Sequence, residues 1–79
     1  LRTETKMSRE KAAEKFHDLA DKISEGKVEL RSSNDSVSLQ PAEQVEFELE
    51  VEEETDGDIS IEVEIEWPEN AEGEEVEIK

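Results

Sequence analysis

The residues with the most chemical potential are carboxylates, and they stand at a spacing of two. Glu46, Glu48, Glu50 and Glu52 alternate with Val45, Phe47, Leu49 and Val51; Glu62, Glu64 and Glu66 alternate with Ile61, Val63, Ile65 and Trp67. Carboxylates in that pattern could serve acid–base catalysis, hold a metal ion or receive a cationic partner. Catalysis is the weakest of the three. Paired carboxylates divide acid and base roles only where unlike environments push their pKa values apart, whereas these glutamates are equivalent along one exposed face. The three glycines form no phosphate-cradling loop. No serine has a companion base other than His17, which lies beside the apolar stripe of a helix and reads as a flank residue. We therefore expect no enzyme, no catalytic residue and no cofactor.

Metal binding has a weak candidate. Glu52, Glu53, Glu54, Asp56 and Asp58 crowd a turn, and calcium favours clustered carboxylate oxygens. The spacing does not fit an EF-hand loop, so Glu54, Asp56 and Asp58 stand only as a low-specificity cluster. With no cysteine and a single histidine, thiolate sites, disulfides and a histidine-based zinc site are excluded.

These carboxylates must be positioned by regular elements. Ser8 to Glu25 reads as an amphipathic helix: Ser8 is the N-cap, Glu10 favours the first turn, and Gly26 is the stop. Ala12, Phe16, Leu19, Ala20 and Ile23 recur at three- and four-residue spacing as one apolar stripe. The period then changes to two. Val28 and Leu30 form one short strand and Val37 and Leu39 another, with the turn formers Ser32-Ser33-Asn34-Asp35 between them. A two-residue loop at Ser33-Asn34 sets Leu30 opposite Val37 and Val28 opposite Leu39. Pro41 marks the next connection.

Two longer strands carry the glutamates. Asp56-Gly57 suggests a two-residue hairpin turn, but that would set Val51 opposite Glu62 and mix the faces. A three-residue loop, Thr55-Asp56-Gly57 with Gly57 left-handed, restores the match and pairs Leu49 with Val63 and Phe47 with Ile65. Trp67-Pro68 ends the pattern. We read residues 68–79 as an acidic tail, because two apolar residues offer little burial, with a short fifth strand at Val76 and Ile78 as the alternative.

The expected fold is α+β: one N-terminal helix packed on one face of a four-stranded antiparallel meander. Residues 1–7 are a flexible segment and 8–67 the domain. The core would hold about eighteen side chains, with Phe16, Phe47 and Trp67 the large ones, each contributing roughly 1.5 to 3 kcal/mol on burial. Trp67 is expected to cap that core at the strand end, and a contact role there, closing a homodimer or gripping a partner, is the alternative.

The same register sets Glu50 opposite Glu62, Glu48 opposite Glu64 and Glu46 opposite Glu66. Like charges directly opposite destabilise a sheet, and glutamate is a poor strand former. Solubility explains that cost, since a charged face resists edge-to-edge association; life in concentrated salt, which screens the repulsion, is a variant of it. A binding face is the other explanation: carboxylates about 6.7 Å apart along a strand and about 4.8 Å apart across strands form a grid for a basic protein.

Charge bounds the partners. The net charge of -16 over 79 residues is confined to the second half: residues 32–79 hold eighteen acids and one base, Lys79. Nucleic acid and anionic membrane surfaces would be repelled. No apolar run reaches the length of a membrane span and no signal-peptide core precedes the domain, so a cytoplasmic monomer or weak homodimer is expected. The opening at Leu1 rather than methionine suggests a fragment or processed chain, with Met7 a candidate natural start.

Taken together, Ser8-Arg9-Glu10 opening a helix, Leu19-Ala20, Gly26 before Val28, Pro41 before Val45, and the run Ile59 to Glu66 closing on Trp67 resemble the amphi-Trp domain family over residues 7–67. The resemblance implies a small domain of archaeal and bacterial proteins, frequent in salt-loving archaea, with no established activity. It carries over no catalytic or ligand residue.

Overall fold

The structure is a computed structural model and describes residues 1–69. The tail and fifth-strand alternatives at Val76 and Ile78 lie outside the described residues. The element order is α1 (Arg9–Glu25), β1 (Val28–Arg31), β2 (Ser36–Leu39), β3 (Glu46–Glu53) and β4 (Ile59–Glu66), an α+β chain of one helix followed by four antiparallel strands. It divides into two compact units, the first ending at Pro41 and the second beginning at Ala42.

In the first unit, α1 starts where the sequence supplies a cap. Ser8 is extended, and its Oγ accepts the Lys11 N–H at 3.1 Å, satisfying one of the donors a helix start leaves free. The helix stops at Gly26, whose φ of 86° is open to glycine without a Cβ clash; its N–H donates to the Ile23 carbonyl, and Lys27 N–H donates to that of Lys22. Exposed ion pairs Lys11–Glu14 and Lys22–Glu25, both 3.8 Å, add a few tenths of a kcal/mol at most. β1 and β2 pair with Val28 opposite Leu39 and Leu30 opposite Val37, as the alternation predicts. The Ser32 N–H donates to the Asp35 carbonyl at 2.7 Å and closes the turn.

In the second unit, β3 and β4 form a long ribbon, with Phe47 opposite Ile65, Leu49 opposite Val63 and Val51 opposite Ile61. The three-residue loop expected from parity is present. Glu54 N–H donates to the Asp58 carbonyl at 2.8 Å, Gly57 N–H donates to the Glu54 carbonyl at 3.0 Å, and Gly57 has a φ of 95°.

Two expectations need correction. The strands do not form one four-stranded meander; β1 pairs with β2 and β3 with β4, in two separate two-stranded sheets. The six-residue link between β2 and β3 is no tight hairpin turn: Pro41 restricts the residue before it, and the chain bends at Glu43 and Gln44. The expected large core is also absent among the described residues, where Val28, 3% exposed, and Pro41 are the buried ones. Phe16 is 54% and Phe47 66% exposed, and Trp67 is half-buried. A buried core side chain touches six to twelve residues or so, and a two-stranded ribbon supplies only the cross-strand and diagonal neighbours.

Candidate functional site

Of the groups expected to form a site, the six paired glutamates are the ones the fold brings together. Alternation along β3 and β4 sends successive side chains to opposite faces, and the register sets Glu46 opposite Glu66, Glu48 opposite Glu64 and Glu50 opposite Glu62. Glu52 stands opposite Ser60 at the far end of the same face. A shallow trough of about 270 Å³ runs along it, lined by Glu48, Glu50, Glu62, Val63 and Glu64. Directly opposed side chains on a sheet lie about 4.5–5.5 Å apart at Cβ, close enough for carboxylates to share a proton or a cation.

The electrostatics bear the mark of that crowding. The Glu64 carboxyl is held above its ordinary range, first by a hydrogen bond in which its protonated form donates to Glu48, then by repulsion from Glu66 and Glu48. A small desolvation effect and the charge of Glu46 push the same way. The ribbon cannot neutralise itself, because residues 42–69 contain no lysine, arginine or histidine.

Trp67 sits at the open end of the ribbon. With Gln44, Val45, Glu46, Glu66 and Pro68 it lines a recess of about 420 Å³. Sequence reasoning placed Trp67 at the strand end and missed its neighbourhood with the last glutamate pair. The signal was available: continuing the register one step past Glu46–Glu66 brings Val45 to Trp67. Phe47 lies on the opposite, apolar face of the ribbon, and Phe16 belongs to α1 in the first unit.

The weak metal candidate does not assemble. Asp56 Oδ1 accepts the Asp58 N–H at 3.0 Å, and Glu54 takes part through its backbone. Those interactions define the turn, and no group of three or more acidic or histidine side chains among the described residues is arranged to hold a metal ion. No described helix is long and apolar enough to cross a membrane.

Comparison with known proteins places the chain. Its whole length, residues 1–79, matches the Amphi-Trp domain family, and the chain belongs to that family. Neither a curated protein nor a solved structure matches it.

Proposed function

From an Amphi-Trp domain whose long hairpin carries an acidic grid, we propose a non-enzymatic, cytoplasmic interaction module that presents the face to a cationic segment of a partner protein. The observation that supports this reading is the pairing of three glutamate rows on a ribbon with no basic residue of its own. Repulsion stored in such a face is relieved when cations enter it, so a basic segment gains from every carboxylate it neutralises. An extended lysine-rich strand matches the grid best, because its alternate side chains repeat at about the 6.7 Å interval of the glutamates. Nucleic acid and anionic membranes carry the wrong sign.

A second reading, a salt-adapted structural module without a specific ligand, draws on the same pairing, since mobile cations also screen it. Calorimetric titration with an alternating lysine–threonine peptide at low ionic strength separates the two. Partner binding predicts saturation at one peptide per chain, weakening as sodium chloride rises, and loss of the signal on combining Glu48→Gln, Glu50→Gln, Glu62→Gln and Glu64→Gln. Heat that never saturates and tracks ionic strength alone would reject the binding face and leave the structural module.

A further inference from the structure

The other face of the same ribbon is apolar and open. Leu49 and Val51 on β3 and Ile59 and Ile61 on β4 are 60–72% exposed, and Phe47 is 66% exposed. These side chains share one face through the register that aligns Phe47 with Ile65, Leu49 with Val63 and Val51 with Ile61. A two-stranded ribbon alone is marginal in water, and needs its apolar face covered. We propose that a second copy of this chain covers it: two β3–β4 ribbons stack apolar face on apolar face as a two-fold homodimer.

Three arguments select that occupant. The first is area. Full burial of one large apolar side chain removes roughly 60–120 Å² from water. The five named above bury at most about 450 Å² per copy, and two copies about 900 Å², the size of a weak, transient interface. The contact is therefore reversible and concentration-dependent. The second is chemistry. In the paired rows this face carries one charge, Glu53 opposite Ile59, so a charged partner finds nothing to pair with, whereas an identical apolar face is self-complementary under two-fold symmetry. The third is repulsion. Face-to-face stacking holds the ribbons about 10 Å apart and points both glutamate faces outward to water. Edge-to-edge pairing would instead continue the glutamate rows into a neighbouring strand about 4.8 Å away, where like charges oppose it.

Each copy carries a net charge of -16, so the dimer tightens as salt screens the two copies from each other. Binding of a lysine-rich peptide to the glutamate face responds in the opposite direction, and either can fail without the other. Sedimentation equilibrium of the whole chain at 0.1 and 1 M sodium chloride tests the proposal. We expect a monomer–dimer equilibrium whose dissociation constant falls at least threefold at the higher salt. Ile61→Glu, which sets a carboxylate in the interface of each copy, should raise that constant at least tenfold, while Glu52→Gln on the outward face changes it little. Because Ile61→Glu could also disturb the ribbon, nuclear Overhauser contacts between labelled and unlabelled copies of the unaltered chain supply a second readout, with Leu49 and Ile61 methyls as reporters. A monomer at all concentrations and both salts overturns the proposal, as does a dimer without contacts between copies at those methyls.

Discussion

Glu64 shows how much a single position in this hairpin depends on its neighbours. Its folded-state pKa is raised, chiefly because its protonated form donates to Glu48 and because Glu66 repels its charge. The sign of the linkage follows. Glu64 binds its proton more tightly folded than unfolded, so its stabilising contribution is complete below the ordinary glutamate range and is lost as pH rises through the elevated folded value. Thermal unfolding across that window should show the native chain losing stability with rising pH relative to Glu64→Gln, whose amide never ionises. Parallel pH profiles for the two would contradict the assignment. The raised carboxyl was not legible residue by residue. The register set Glu48 opposite Glu64 from the sequence; that Glu64 is a raised carboxyl depends on side-chain placement, which alternation does not distinguish.

At the scale of the element, turns and caps follow from local chemistry. Ser8 caps α1, Gly26 ends it, and the Thr55–Gly57 loop reverses the chain where the faces require it. Gly57 shows the physical reason plainly. Its φ of 95° belongs to a region that side chains rarely enter, and a Cβ there would meet nothing within 4 Å. The expected cost of Gly57→Ala is therefore backbone strain alone, about 1–2 kcal/mol. Gly57→Asn should cost less, because asparagine tolerates left-handed backbone. Urea unfolding of the three forms checks this, and an alanine form as stable as the native one would rule out strain. Both hairpin registers were legible for the same reason: a slip of one residue would exchange an apolar face for an acidic one. The number of sheets was not. Four alternating strands are compatible with one sheet or two, and alternation does not specify which strands pair.

For the whole molecule, charge distribution is the governing property. The acids concentrate in the second half of the sequence, and raising sodium chloride from 0.1 to 1 M shortens the screening length from about 10 Å to about 3 Å. The thermal midpoint, followed at low protein concentration by Trp67 fluorescence, should rise smoothly across that range. Trace calcium at matched ionic strength should add nothing, since no described acidic group is arranged to hold it. A midpoint that falls with salt would mean that attractive ion pairs, such as Lys27–Glu29 at 3.4 Å, outweigh repulsion.

The residue order alone determined the α+β class, the element bounds to within a residue, both hairpin registers and the separation of glutamates from apolar side chains on the long ribbon. Each of these rests on periodicity or on turn chemistry acting over a few neighbouring positions. Tertiary structure decided that the strands form two ribbons and that Phe16 and Phe47 stay exposed. Alternation specifies which face of a strand is apolar; what comes to cover that face is set by contacts between distant segments, and these leave no period in the sequence.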